Sequence, residues 1–390
     1  MSQPSVIRLT DRAVRDAAVE RLEAHIPVTV AGYECTTDMV WDVLIKAAVT
    51  QRTVEAVCQE LDAASSNSIR SYLNAQIQAD DLADLERQVN ATLVAGVPAQ
   101  IWTQAWEVAF DFHDEPFYGK SAELLAYTCG GEAKAGTTRF YRVATAYVMA
   151  KDVRSTLALL FVRPGETAAD VLACLLRRLH ILDLRIGRLL LDKGFCSIPV
   201  FQWLAASGWS AIVACPIRGK TGGTKALCRG RRSYRTQHTF RSQEYGEFTA
   251  DVAVVYTWIH RRRRRGKPWL RYLVYVIFKC ADLTLPQLRR LYRRRFGIEA
   301  SYRGMRQVRA WTTSRNPALR FLLIALGFIL VNLWQELRWR FCRVRTKDGD
   351  QVDPKRFPLQ RMASFLSHAI EAIYGGIFFI IEAQVEPPGT

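Results

Sequence analysis

The sequence predicts an α/β protein whose mixed β-sheet is preceded by an all-helical region and interrupted by a basic, β-rich insertion. Residues 1–100 have helical periodicity, and short β-type runs alternate with amphipathic segments from residue 105 onward. A Gly- and Arg-rich stretch with two further β-type runs follows, and helical patterns return at residue 284. Strands that alternate with helices are typical of an α/β sheet.

Charge indicates the class of partner. The 390-residue chain has 54 Lys and Arg against 37 Asp and Glu, a net charge of +17. Between Arg261 and Arg320 there are 18 basic residues and only two acids, Asp282 and Glu299. Such clustering favours a polyanion, and nucleic acid before an anionic membrane.

Cysteine usage and the apolar segments indicate the compartment. The nine cysteines are scattered without a C-x-x-C pair, which argues against a disulfide framework or a zinc site. We expect a cytoplasmic, nucleoid-associated protein. The apolar stretch 321–334 is shorter than the roughly 20 residues that a bilayer requires, so we predict a buried core helix; a membrane segment is the alternative.

The first predicted region, residues 1–100, contains two helical runs at 53–61 and 67–77, with Asn67 as a candidate N-cap. They form either a helix-turn-helix that places Arg70 and Asn74 in a major groove or an ordinary helical hairpin. We predict a DNA-binding region here, and the pattern leaves both structures open.

The predicted core consists of residues 105–216 and 284–340. Its β-type runs and helical segments alternate in the order strand, strand, strand, helix, strand, helix, strand; their ranges are 106–112, 140–150, 155–162, 166–182, 185–195, 198–207 and 210–216. Asp111 ends the apolar part of the first of these runs, and Asp192 ends the apolar part of the run 185–195.

The predicted insertion, residues 217–283, carries paired strands at 248–259 and 269–278. Five consecutive arginines in the connection cannot be buried, so they face solvent or a polyanion, and we expect DNA contacts from Arg261, Arg262 and Arg263. Beyond it, Thr284 caps a helix, and residues 341–390 form a C-terminal helical segment and tail.

Glu299 stands alone among arginines. On a continuous helix, Tyr292, Arg295, Glu299 and Arg306 would lie within an arc of about 60°. Glu299 forms either a weak intrahelical salt bridge to Arg295 or Arg303, or a metal-mediated contact to phosphate. Together with Asp111 and Asp192 it could form an oxygen cage for two Mg²⁺ ions, which activate a nucleophile and stabilise a leaving oxygen.

These residues resemble the DDE transposases of prokaryotic insertion sequences, in the branch marked by Y-x2-R-x3-E-x6-K. The signature corresponds to Tyr292, Arg295, Glu299 and Arg306, with Arg in place of Lys. A second landmark, D-[RK]-G-[FY], corresponds to "LLLDKGF" at 189–195, and "VAFDFHDEPFYG" at 108–119 resembles the first acidic strand. The resemblance covers about residues 105–335.

The resemblance implies an RNase H-like core and cut-and-paste transposition. Its expected partners are double-stranded DNA, both terminal inverted repeats and target, and a second copy of the chain on DNA; no membrane is expected. The expected cofactor is Mg²⁺, two ions, with Mn²⁺ as a substitute. Its expected catalytic and metal-binding residues are Asp111, Asp192 and Glu299. The expected DNA-binding residues of the late helix are Tyr292, Arg295, Arg303 and Arg306.

Several alternatives remain open at this level. Asp114 competes with Asp111 as the first acid, whereas Asp183 precedes a turn and is disfavoured against Asp192. Trp258 or Trp269 could hold a flipped base, although a tryptophan in the core is the simpler interpretation. The competing functions are a non-catalytic or domesticated DNA-binding protein derived from a transposase, and a membrane-associated basic protein.

Overall fold

A computed structural model describes most of the chain. The described residues are 8–30, 34–149, 154–219, 222–259, 269–347, 349–353 and 355–376. Arg261, Arg262 and Arg263 therefore lie outside the described residues, as does the side chain of Trp269.

Twelve helices and eleven strands occur in these ranges. The helices are α1 (Asp11–Glu23), α2 (Thr37–Thr50), α3 (Val54–Glu60), α4 (Ser66–Gln76), α5 (Leu82–Val94), α6 (Ala122–Leu125), α7 (Ala168–Ile181), α8 (Ile198–Ser207), α9 (Leu285–Arg294), α10 (Gly297–Gln307), α11 (Pro317–Phe341) and α12 (Leu359–Tyr374). The strands are β1 (Trp106–Pro116), β2 (Cys129–Lys134), β3 (Thr137–Met149), β4 (Arg154–Val162), β5 (Ile186–Leu191), β6 (Ala211–Cys215), β7 (Tyr234–Ser242), β8 (Gly246–Ile259), β9 (Trp269–Phe278), β10 (Arg343–Thr346) and β11 (Gly349–Val352).

Strands β1 to β9 form a single mixed sheet in the described chain, in the order β2-β3-β1-β5-β6-β9-β8-β7, with β4 on the same edge of β3 as β2. The strands β1, β5 and β6 are parallel, and the other pairs are antiparallel. Helices α7 and α8 cover one face, whereas α10, α11 and the N-terminal helices cover the other. The predicted α/β class, with a central mixed sheet and N-terminal helices, is confirmed.

The strands of the predicted insertion belong to the central sheet. Strand β9 pairs with β6, so β7, β8 and β9 continue the sheet beyond its parallel centre. The hairpin of β8 and β9 was predicted, whereas β7 was not, because the polar residues of Tyr234–Ser242 leave its side chains largely exposed or half-buried. The hairpin of β10 and β11 was also not predicted.

Two predicted helix boundaries need correction. The helix α4 is capped by the hydroxyl of Ser65, which accepts from the Ser68 amide at 3.1 Å, and not by Asn67. The predicted continuous helix after Thr284 is divided into α9 and α10. Between them, the amides of Arg295 and Phe296 donate to carbonyls three residues back, which is the tighter 3₁₀ geometry.

The helix α11 lies in the core. Among the described residues it is the one helix long and apolar enough to cross a membrane by length and composition, and 89% of its most apolar window is buried inside the protein. Its buried Asn332 donates to the carbonyls of Leu93 (2.9 Å) and Thr156 (2.7 Å) and accepts from the Thr156 amide at 3.1 Å. These bonds join α11 to the end of α5 and to β4.

Close packing of α11 against α10 depends on Gly327. A Cβ atom at this position would lie 2.8 Å from Met305 Cγ and 3.0 Å from the Met305 carbonyl oxygen. We therefore expect Gly327→Val to lower the free energy of unfolding by roughly 1–3 kcal/mol, measured by urea denaturation. The matched control is Gly130→Val, since a Cβ at Gly130 would meet nothing within 4 Å. Equal unfolding midpoints for the two variants would contradict this packing constraint.

Candidate active site

Two aspartates meet at one edge of the parallel part of the sheet. The last registered pair of β1 and β5 is Phe110 with Leu191, and the next residues along the two strands are Asp111 and Asp192. Because parallel neighbours carry successive residues to the same sheet edge, the two carboxylates lie side by side. The strand β1 does not end at Asp111 as predicted, because its antiparallel pairing with β3 continues to Pro116.

The guanidinium of Arg295 lies between these carboxylates. Its Nη1 is 3.4 Å from Asp111 Oδ2, and its Nη2 is 3.0 Å from Asp192 Oδ1. Arg295 is only 5% exposed, so the contact is largely shielded from water. We call this set, Asp111, Arg295 and Asp192, the arginine bridge.

The positive charge of Arg295 offsets part of the cost of burying the Asp111 carboxylate. Burial raises the pKa of Asp111 to about 6, the positive charge of Arg295 opposes that rise, and the nearby Asp192 adds to it. Burial acts to lower the pKa of Arg295, but Tyr292 and the two aspartates outweigh it and raise that pKa. The guanidinium is therefore permanently charged, and each side of the contact stabilises the ionised form of the other.

Two tyrosines hold the backbone behind the carboxylates. The hydroxyl of Tyr292 donates to the Leu191 carbonyl at 3.0 Å, directly before Asp192. The buried hydroxyl of Tyr302 lies 3.3 Å from the Asp111 carbonyl oxygen and 2.7 Å from the Thr145 hydroxyl. Sequence reasoning missed the role of Tyr302; its position one helical turn after Glu299 was the available signal.

The third predicted acid, Glu299, lies in the first turn of α10 and is exposed. Its negative charge adds to those that raise the pKa of Arg295. Among the residues that the structure describes, however, no three His, Cys, Asp or Glu side chains come close enough together to hold a metal ion. The structure thus brings together Asp111 and Asp192, and the three-carboxylate cage stays a prediction.

The paired aspartates nevertheless fit a divalent cation. Two carboxylates already surround one positive charge, and Mg²⁺ binds through one or two carboxylates, with water and substrate phosphate as further ligands. The alternative first acid, Asp114, is engaged elsewhere, because it accepts from Arg142 Nε at 2.6 Å and Nη2 at 3.2 Å. Asp183 lies in a left-handed turn before β5, with φ of 52°.

The predicted DNA-binding residues occupy different environments. Tyr292 and Arg295 are buried and contact protein groups, whereas Arg303 and Arg306 are exposed on α10. Their contacts with DNA stay predictions. Trp258, a candidate base-holding residue, is 54% exposed on β8.

Removing the cation from the arginine bridge should destabilise the fold. Arg295→Met leaves two neighbouring carboxylates without a counter-charge, and we expect a loss of about 3 kcal/mol in the free energy of unfolding, the low end for a broken buried pair because Asp192 is partly exposed. The matched control, Arg303→Met, should change stability by less than about 0.5 kcal/mol. Adding Asp111→Asn to Arg295→Met should recover part of the loss. Wild-type stability of Arg295→Met in urea would contradict the role of the bridge.

Comparison with known proteins identifies the family of the chain. The family described as "Transposase DDE domain" matches residues 129–333, more than half of the chain, including Asp192 and Glu299 but not Asp111. A cryo-EM structure of the piggyBac transposase synaptic complex with hairpin DNA is similar in fold, with a TM-score of 0.54 and 8% identity, over 92% of this chain and 76% of that one. No curated protein matches the chain in sequence. The predicted RNase H-like core is confirmed by this likeness, and the chain belongs to the DDE-domain transposases.

Proposed function

We propose that the protein is a cut-and-paste DNA transposase of a prokaryotic insertion sequence. It binds the terminal inverted repeats of its element, cleaves DNA there and joins the freed 3′-hydroxyls to target DNA. The observation that carries the proposal is the arginine bridge, which holds Asp111 and Asp192 together at the sheet edge of a DDE-domain transposase. The spacing of Tyr292, Arg295, Glu299 and Arg306 supports the branch with the Y-R-E-K signature.

The reaction consists of two phosphoryl transfers. In cleavage, the oxygen of water forms a bond to phosphorus and the bond to the 3′-oxygen breaks, which leaves a 3′-hydroxyl. In strand transfer, that hydroxyl forms a bond to a target phosphorus and displaces the target 3′-oxygen. Asp111, Asp192 and Glu299 would hold Mg²⁺, two ions, or Mn²⁺ in its place. Bound metal ions would activate the attacking oxygen and stabilise the leaving one.

The residues of the chain itself prepare the site for these steps. Tyr292 and Tyr302 hold the backbone next to Asp192 and Asp111, so the carboxylates keep their relative positions. The exposed Arg303 and Arg306 would neutralise DNA phosphates near the cleaved bond, and Arg261, Arg262 and Arg263 would do so from the insertion. Positioning and charge neutralisation are the main protein contributions to phosphoryl transfer.

Recognition of DNA ends requires further contacts. The N-terminal pair α3 and α4 is the proposed sequence-reading element, and its Arg70 is exposed, although it also lies 3.1 Å from Glu55. Both element ends are handled in one assembly, so the active form on DNA is a homodimer. The excess positive charge suits a cytoplasmic protein that stays with the nucleoid.

The acids are tested by isosteric amide substitutions. Asp192→Asn and Glu299→Gln should each abolish Mg²⁺-dependent cleavage of a duplex that carries the element end, because the amide removes the negative charge on which metal binding depends. Binding of the same duplex, measured by gel shift without metal, should persist. Asp183→Asn is the matched control, since asparagine tolerates the left-handed turn and the residue is remote from the proposed chemistry.

Persistent cleavage by Asp192→Asn or Glu299→Gln would sink the assignment of these acids. If the wild-type protein bound the duplex but never nicked it with Mg²⁺ or Mn²⁺, the non-catalytic, transposase-derived DNA-binding protein would be the better description.

The exposed arginines of α10 should determine the salt dependence of binding. Arg303→Ala should weaken binding of any duplex to a similar extent and reduce the slope of log K against log salt concentration by about 1, because one phosphate contact is lost. The control is Arg361→Ala, an exposed arginine on α12. Fluorescence anisotropy between about 50 and 200 mM salt measures both slopes. Identical slopes for Arg303→Ala and wild type would remove Arg303 from the DNA interface.

A further inference from the structure

A cavity of about 480 Å³ lies next to the paired aspartates and has the chemistry of a nucleotide site. We propose that it binds an unstacked nucleotide of a single DNA strand, with the base on the indole of Trp311 and the phosphate on the basic rim. This inference rests on the proposed function in taking DNA as the ligand. The Trp311 cavity, as we call it, is lined by His113, Glu115, Lys134, Arg306, Arg309 and Trp311, among others.

The Trp311 cavity and the acids share a wall. His113 follows Asp111 by two residues on β1, so their Cα atoms are roughly 7 Å apart. The ring of Tyr302 stacks on His113 with centroids 5.3 Å apart, while its hydroxyl contacts the Asp111 carbonyl. Arg306 lines the cavity from α10, the helix that also carries Glu299. The cavity therefore lies within reach of a DNA strand held at the acids.

Trp311 is both exposed and fixed. Its side chain is 67% exposed, although its backbone amide donates to the Arg52 carbonyl at 2.9 Å. Farther along the same loop, the Arg315 carbonyl accepts from the Tyr141 hydroxyl at 2.6 Å. Because the loop is already anchored, Trp311 loses little conformational entropy when a ligand binds. Its indole offers a flat surface, and every base has a face that can stack on it.

Two buried nitrogen atoms in the wall make no hydrogen bond. The Nε atom of Arg309 is buried without a hydrogen-bond acceptor. His113 is 8% exposed, and its buried Nε2 makes no hydrogen bond; its nearest charged neighbour is Glu115 Oε2 at 3.5 Å. Leaving such atoms without a hydrogen bond costs about 1–3 kcal/mol each, and the wall of the cavity therefore retains a polar character.

The acids of the cavity do not repel phosphate, because both are already neutralised. Glu115 accepts from Arg309 Nη1 at 2.8 Å and lies 2.7 Å from its Nη2, and Asp114 is paired with Arg142. Burial acts to raise the pKa of Glu115, but its neighbours His113 and Arg309 outweigh it and lower that pKa, so it stays ionised and engaged. Lys134 and Arg306 remain exposed at the rim.

The test compares single-stranded and duplex DNA. Binding of a fluorescein-labelled 12-nucleotide oligo(dT) strand is measured by anisotropy at fixed salt without divalent metal, in parallel with a labelled duplex of the same length. Trp311→Ala should weaken single-strand binding about tenfold and leave duplex binding unchanged, as loss of one stacked base requires. Trp311→Phe should retain affinity within about threefold of wild type, because phenylalanine still offers a stacking face.

The matched control is Tyr245→Ala, a partly exposed aromatic residue at the turn between β7 and β8, which should bind both probes like wild type. Equal single-strand affinity of Trp311→Ala and wild type would overturn the proposal. A parallel loss for both probes would also overturn it and indicate a general phosphate surface. A change of oligomeric state for Trp311→Ala in sedimentation, with unchanged affinity for both probes, would replace the nucleotide with a second copy of the chain.

Failure of the nucleotide site and failure of the proposed function give different results. Cleavage that depends on Asp192 while Trp311→Ala binds normally would remove only the nucleotide site. Absence of metal-dependent cleavage by the wild-type protein would remove the transposition reaction, whereas a selective loss of single-strand binding in Trp311→Ala would still support the cavity.

Discussion

The arginine bridge is the contact on which the arrangement of this site depends. Two carboxylates that lie side by side where the pairing of β1 and β5 stops repel each other, and in a partly dehydrated sheet edge that repulsion is weakly screened. The guanidinium of Arg295 cancels it at distances of 3.0 and 3.4 Å. Arg295 lies at the junction of α9 and α10, so the same contact ties the start of α10, with Glu299, to the two strands that carry the aspartates.

The order of the strands explains why this edge can be a reactive one. In the sheet centre, β1 is parallel to β5 on one side and antiparallel to β3 on the other. The pairing with β5 stops at Phe110, whereas the pairing with β3 continues for six more residues, to Pro116. The backbone of Asp111 is therefore paired with β3 on one side and has no registered partner in β5 on the other. The wall of the Trp311 cavity is the continuation of the same supported strand.

The sequence was sufficient to predict much of this fold. Apolar runs in the sequence predicted β5, which precedes Asp192, and β6, which follows it. The predicted cap at Thr284, with its reciprocal hydrogen bond to Gln287, begins α9 where expected. The end of β1 could not be predicted, because the residues after Phe112 are mostly polar and are held in the strand by pairing with β3, which follows later in the chain.

The sequence also did not predict that the Arg295 side chain contacts the two aspartates. A uniform helical rotation places Arg295 beside Glu299 on an outer face, whereas hydrogen bonds to carbonyls three residues back change that rotation at the junction. The Trp311 cavity depends on loops anchored by Arg52 and Tyr141, which come from separate parts of the chain. No local pattern encodes such contacts, so they became visible only with the tertiary structure.

The buried helix α11 makes the N-terminal helices inseparable from the sheet. Helices α2 and α5 pack on it, and Asn332 spans the space between Leu93 and Thr156 with its amide. A fragment that started near residue 100 would expose to water the part of this 25-residue apolar helix that packs on α2 and α5. Newly exposed apolar surface of this kind promotes aggregation, so we expect the N-terminal helices and the sheet to require expression as one chain.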